Sequence, residues 1–283
     1  MNKKFLSLIL VLALSASLTA CGSSDTTEKT DGTDTGDTAE TVILKVAASP
    51  TPHAEILEQV KPILAEQGID LVITEYGDYV VPNTVVDEGD EDANYFQHTP
   101  YLEQFNEENG TDLVSAGKIH YEPMGVYAGK TTSLEDLPDG ATIAVPNDAT
   151  NEARALQLLA AQGLIEIDPD AGLNATPNDI TSNPKNLEFT ELDASMIPNT
   201  IDEFDLNVIN SNYALQAGLN PAEDALASED ADSDAAQTYA NIIAVKAGHE
   251  NDPAIVALVD ALHSDEIQEF INTTYQGSVL PID

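Results

Sequence analysis

The stretch VILKVAASPTPHAEILEQVKPILAEQGIDLVITE, Val42 to Glu75, changes its apolar period twice. Val42 to Ala48 is rich in β-branched residues. Ser49-Pro50-Thr51-Pro52 then breaks the strand and reads as a loop and helix start. From Ala54 to Glu66 the apolar positions Ile56, Leu57, Val60, Ile63 and Leu64 recur at helical spacing. Ile69 to Glu75 returns to alternation. A strand, a helix and a second strand joined by short turns form a βαβ unit, and the class expected for the whole chain is α/β. In open parallel sheets of this kind ligands collect outside the carboxyl ends of the strands.

Working outward, helices are expected near Asn83 to Glu88, Pro100 to Glu108 and Asn151 to Gln162, the last capped by Thr150 or Asp148. Strands are expected at Ala141 to Val145, Asn186 to Leu192, Leu206 to Asn210 and Tyr239 to Val245. A short turn or helix after Met196 ends near Phe204. A short helix over Asn212 to Ala217 ends at Gly218, and two helices, Pro253 to His263 and Asp265 to Thr274, close the chain. Leu113 to Gly129 is extended but broken by Pro123 and Gly125, a suitable place to cross into a second lobe. Tyr239 to Val245 is suited to bring the chain back. The expected division is a first lobe of 42–122 with 243–283 and a second of 123–242.

The first forty residues are different in kind. Lys3 and Lys4 precede an apolar run from Phe5 to Leu18, too short for a spanning helix of about 20 residues and built like a secretory signal. Leu18-Thr-Ala-Cys21 resembles the bacterial lipobox, so residues 1–20 are expected to be removed and Cys21 acylated. Cys21 is the only cysteine, which excludes internal disulfides and cysteine metal sites. The polar run that follows, within 21–41, cannot bury enough apolar surface to offset its chain entropy and is expected to be a tether. The expected location is the extracytoplasmic face of the cell membrane, with the lipid as anchor.

The formal net charge is −40, and −40 − 2 = −42 once Lys3 and Lys4 leave with the signal. Such a chain is not expected to hold nucleic acid, which needs Lys and Arg against phosphate, and anionic headgroups repel it. Against this background two features stand out. Asn94-Tyr-Phe-Gln-His-Thr-Pro-Tyr101 gathers three aromatics and a histidine in a chain that is only 5% aromatic and lacks tryptophan. Arg154, the sole arginine, sits on the expected first turn of the helix that follows Val145-Pro-Asn-Asp148. A guanidinium forks onto a carboxylate, and a helix start adds unpaired N–H groups. The two stretches are expected to face each other across a cleft, although rings at strand spacing can equally be core.

Six stretches, in order, carry a resemblance over nearly the whole chain: Ala48 to His53, Asp78-Tyr-Val-Val-Pro-Asn83, Asp92 to Tyr101, Ala144 to Arg154, Asn183-Pro-Lys-Asn-Leu187 and Val208 to Gly218. The chain resembles the NlpA-type lipoproteins, the methionine-binding (MetQ-like) components of ABC importers. That resemblance implies a two-lobed periplasmic-binding-protein fold with two interlobe crossovers, closing on a free amino acid. It implies a ring-lined pocket of Tyr79, Phe96, His98 and Tyr101 for the methionine side chain. The polar end would be Asn151, Arg154, Asn210 and Asn241, with the importer's permease and ATPase as partners. The family's loop motif appears here with Glu91 in place of an apolar residue.

No catalytic signature is present: Gly-x-Ser-x-Gly, Gly-x-x-x-x-Gly-Lys and His-Glu-x-x-His are all missing, so no enzyme activity and no cofactor is expected. His53, His98, His120, His249 and His263 show no close ligand spacing, and no metal is expected. The acidic run Asp87 to Asp92 lacks the order of a calcium loop. The alternative from another class is a surface interaction or signalling lipoprotein that keeps the fold without transport.

Overall fold

The computed structural model describes residues 41–231 and 234–282. The expected signal, Cys21 and nearly all of the tether lie outside them. Among the described residues no helix is long and apolar enough to cross a membrane.

Two sheets organise the fold. β1 (Val42–Ala48), α1 (Glu55–Ala65) and β2 (Ile69–Glu75) form the expected βαβ unit, with β1 and β2 parallel and Val42 opposite Ile69. After α2 (Val81–Glu88), β3 (Ala93–His98) joins the other side of β1, also parallel. α3 (Thr99–Asn109) leads to β4 (Leu113–Tyr121), and the chain then leaves this sheet. It builds a second sheet from β5 (Gly125–Ala128), β6 (Thr142–Pro146), β9 (Glu188–Leu192), β10 (Leu206–Ile209) and β11 (Ala227–Ser228), in the order β11-β5-β10-β6-β9. α4 (Ala149–Ala161) follows β6, and the two short strands β7 (Glu166–Ile167) and β8 (Ile180–Ser182) pair with each other. α5 (Ser211–Gln216) follows β10, and α6 (Asp234–Thr238) precedes the return. β12 (Asn241–Lys246) brings the chain home between β3 and β4, antiparallel to both. α7 (Pro253–Leu262), α8 (Asp265–Tyr275) and β13 (Leu280–Pro281) complete a first sheet ordered β13-β4-β12-β3-β1-β2.

The architecture is thus α/β and two-lobed, each sheet with its own apolar core. The first packs Ile56, Leu57 and Val60 of α1 and Leu258 of α7 against Val46 and Ile243. The second packs Leu156 and Leu159 of α4 against Ile143 and Val208. Burying these side chains is the main favourable term in folding, about 1.5–3 kcal/mol for each large aliphatic group.

Most expected elements lie within a few residues of their observed positions. β7, β8, β11 and β13, each of two or three residues, carry no readable period. The register of β3 holds a feature that alternation alone does not reveal. Asn241 and Ile242 of β12 pair with His98 and Gln97, but Ile243 pairs with Tyr95, so Phe96 is an extra residue in β3. Such a bulge re-aims the side chains around it.

At the end of β5 the backbone runs so close to the segment before β10 that a Cβ on Gly129 would lie 2.2 Å from the Phe204 carbonyl oxygen and 2.6 Å from that of Ile201. Both obstacles are backbone. Gly129→Ala is therefore expected to lower the unfolding free energy by about 1–3 kcal/mol, the usual cost of overpacking, read as a fall in the urea midpoint. An unchanged midpoint would mean that this crossing is free to spread.

Candidate ligand-binding site

The two sheets face each other across a small buried cavity. All eight residues named from the resemblance line it. One wall is aromatic. Tyr79 stands before α2, where the Asp78 carboxylate accepts from the N–H groups of Val80 and Val81. Phe96 comes from the bulge and Tyr101 from the first turn of α3. Ring centroids lie 5.7 Å apart for Tyr79–Phe96 and for Tyr79–Tyr101, and 6.0 Å apart for Phe96–Tyr101, the last two edge to face. Tyr213 of the second lobe packs behind this wall, its ring 4.9 Å from that of Tyr79. Of the stretch Asn94 to Tyr101, only part faces the cavity. Asn94 turns into a buried amide network with Asn83 and Gln97, and Tyr95 is fully buried in the first core.

His98 caps α3: its Nδ1 accepts from the Tyr101 backbone N–H at 3.2 Å. That leaves the proton on Nε2, which donates to Asn151 Oδ1 at 3.2 Å. Burial, and Arg154 beside it, push the imidazole down to about 3, so it is neutral at any ordinary pH.

The same accounting separates the asparagines. Asn151 Nδ2 donates to the Asp148 carboxylate at 2.9 and 3.1 Å, and its Oδ1 accepts from His98 and from Asn210 Nδ2 at 2.8 Å. Asn151 is therefore a hub whose polar atoms are already engaged. Asn210 Oδ1 is a buried acceptor with no partner, and Asn212 Nδ2 a buried donor with none. Asn241 Oδ1 is held by His53 Nε2 at 2.9 Å, and its Nδ2 makes no hydrogen bond among the described residues. The cavity thus offers an acceptor at Asn210 and donors at Asn212 and Asn241.

Arg154 corrects two expectations. It lies on the second turn of α4, because the helix starts at Ala149 under an Asp148 cap, and it already has a carboxylate. Nε and Nη2 fork onto Glu229 at 2.8 and 2.6 Å, and Nη2 also reaches the Glu122 carbonyl oxygen at 2.8 Å. Its planar group sits 4.4 Å from the centroid of Tyr239 and 5.8 Å from that of Tyr121, rather than against the Asn94 to Tyr101 rings. Nη1 makes no hydrogen bond among the described residues. Burial alone would lower the guanidinium, yet Glu229 holds it above its ordinary value. Burial likewise favours a neutral Glu229, but Arg154, Tyr121 and the Met124 N–H keep its carboxyl below the usual range.

A second buried cluster adjoins the cavity. His53, His120 and Glu122 bring their donor atoms within 4.8 Å of one another, a grouping that sequence spacing does not announce. His120 Nε2 at 2.7 Å and His53 Nε2 at 3.3 Å both converge on the same oxygen, Glu122 Oε1. Donors for a tetrahedral metal would stand about 3.4 Å apart around a shared centre, and the His120–Glu122 separation is too short for that. His120 Nε2 hydrogen-bonds the carboxyl oxygen, while His53 Nε2 gives its hydrogen bond to Asn241 Oδ1. Burial lowers His53 to about 4 and His120 to about 3, and raises Glu122.

Glu122, Asn212 and Glu229 were not reached from the sequence as site residues. Asn212 lies within the Val208 to Gly218 block and Glu122 within the crossing segment, so both had a local signal. Glu229 had none, since fifty acids gave no way to choose the partner of one arginine.

A chain with two α/β lobes and a buried cavity of opposed apolar and polar walls is a solute-binding protein in build, and comparison places it in a family. It belongs to the NlpA lipoproteins, whose profile matches residues 44–283. It is similar to the methionine-binding lipoprotein MetQ of Bacillus subtilis, 42% identical over 287 residues, covering 100% of this chain and 99% of the relative. Among solved structures it resembles a lipoprotein from Ruminococcus gnavus (58% identity, 85% of this chain and 99% of that one, TM-score 0.85). A nutrient-binding protein from Burkholderia cenocepacia bound to methionine is 44% identical (85% and 100% covered, TM-score 0.81).

The Arg154–Glu229 pair is nearly sealed from water, with side chains 4% and 9% exposed. Glu229→Ala would leave a buried unpaired guanidinium, and urea denaturation is expected to show a loss of about 3–5 kcal/mol. Because the folded carboxyl titrates below its unfolded value, the pair's contribution is complete above about pH 4.3 and disappears as pH falls through the folded value. In the Glu229→Ala protein that part of the acid sensitivity should vanish.

Proposed function

We propose that this chain is the substrate-binding lipoprotein of an ABC importer, capturing methionine between its lobes and handing it to the membrane permease that an ATPase drives. The observation that carries this reading is the polarity of the cavity: rings on one wall, and unpaired donors and an acceptor on the other. A thioether gains about 0.3–1.5 kcal/mol from each favourable ring-edge contact, and Tyr79, Phe96 and Tyr101 supply the edges. The carboxylate is taken by Arg154 Nη1 and Asn241 Nδ2, the ammonium by Asn210 Oδ1. Asn151 and His98 hold these groups in place. The printed descriptions of the Bacillus relative and the Burkholderia structure, both naming methionine, support the ligand.

The lobes are taken as 42–122 with 243–283 and 123–242. Entry requires them to part, because Tyr79 Oη donates across the gap to Asn212 Oδ1 at 2.6 Å and the wall residues are buried. On closure the polar contacts lose water and strengthen. Cleavage before Cys21 and acylation of that residue would anchor the chain to the extracytoplasmic face of the membrane, with the following polar tract as tether.

Titration calorimetry decides the matter. Heat is expected with L-methionine, D-methionine or a methionyl dipeptide, and silence with all three would end the reading. Arg154→Ala is expected to weaken binding at least tenfold, given the 2–5 kcal/mol typical of truncating one partner of a buried charge pair. Unchanged affinity would remove Arg154 from the site.

A further inference from the structure

We propose that His53, which does not line the cavity, is a positioning residue for ligand specificity: it locks the side-chain amide of Asn241 so that Nδ2, a donor, faces the bound carboxylate. The inference rests on the reading of the cavity as an amino-acid site.

The chain of reasoning follows the protons. His53 is wholly buried at the helical turn after β1, with its ring edge-on to Tyr95 at 4.7 Å. Its Nδ1 has no hydrogen-bond partner. Its Nε2 meets two oxygens, Asn241 Oδ1 at 2.9 Å and Glu122 Oε1 at 3.3 Å. A proton on Nδ1 would waste a buried donor and aim the Nε2 lone pair at a carboxyl oxygen. A proton on Nε2 donates to Asn241 Oδ1 and faces the Glu122 oxygen favourably, at the cost of one bare acceptor.

Glu122 is held to its accepting role from the other side. Tyr95 Oη and His120 Nδ1 are hydrogen-bonded, and with the phenol donating its one proton, His120 carries its own proton on Nε2 and donates it to Glu122 Oε1 at 2.7 Å. Tyr95 and His120 thus leave Glu122 Oε1 as an acceptor beside His53 Nε2. With Nε2–H of His53 as donor, the Asn241 atom beside it must be the oxygen. An amide has two ends, and fixing one fixes the other: Nδ2 is turned to the cavity. Were the amide free to flip, its oxygen would face the ligand's carboxylate for part of the time, which opposes binding.

Nuclear magnetic resonance of the ligand-free protein tests this arrangement without any ligand. Long-range proton–nitrogen correlations are expected to show His53 as the Nε2–H tautomer, and an Nδ1–H tautomer would overturn the proposal. The second arm compares L-methionine with L-methioninol, which lacks the carboxylate, in wild type, His53→Phe and His53→Gln. Phenylalanine removes the donor and is expected to weaken methionine binding roughly tenfold while changing methioninol little. Glutamine can present an N–H in its place and should restore most of the loss. Equal losses for the two ligands, or no rescue by glutamine, would reduce His53 to a packing residue. If wild type binds neither ligand, the transport reading fails on its own, and the tautomer still decides for or against the lock.

Discussion

The buried ion pair between Arg154 and Glu229 is the contact on which the site depends. It joins α4, the chain around β11 and the first crossing segment, because Glu229 also accepts from the Tyr121 hydroxyl and the Met124 N–H while Arg154 holds the Glu122 carbonyl. Removing charge from water is costly, and a buried pair is tolerated when its remaining hydrogen-bonding groups are met. Here they are met by the crossing strand itself, so the charge pair and the path of the chain between lobes are one construction. It also sets the electrical character of the cavity. With Glu229 in place the guanidinium is already balanced, and the ligand that fits best carries no net charge but separates a positive from a negative end.

Around this point the rest of the molecule is arranged as two independent apolar cores. The chain carries far more acid than base, and most carboxylates lie in water, where single surface pairs add little. Cohesion within each lobe comes from α1 and α7 on one sheet and α4 on the other. Between lobes the cavity walls are mostly polar or amphipathic, apart from the ring cluster. Relative motion is the ordinary expectation for domains joined in this way.

The fold was legible because its long elements repeat their apolar residues at clear periods. Val42 to Glu75 needed no context, and α4, α7 and α8 were readable for the same reason. What escaped was short or non-local. β11 has two residues and is defined only by its partner β5. The partners of Asn151 also escaped, since an asparagine near a helix start looks the same whatever it bonds, and here these are Asp148, His98 and Asn210. The partner of Arg154 is 75 residues away, a distance at which periodicity carries nothing. The grouping of His53 with His120 and Glu122 is hidden in the same way: one residue lies on β4, one just after it and one at the turn after β1. Side-chain type suggested which residues could matter, and only the tertiary path decided which of their atoms were free.

The extra residue at Phe96 has a consequence for how this pocket can change over time. Strand pairing between β3 and β12 is correct only because one position is skipped, and the faces presented by Phe96 and His98 depend on that skip. Gain or loss of a single residue in β3 would restore an uninterrupted ladder, or break it elsewhere, and rotate the neighbouring side chains toward the wrong face. New ligand preferences can therefore arise in this strand by exchanging one side chain for another, whereas changes in length are confined to the turns on either side.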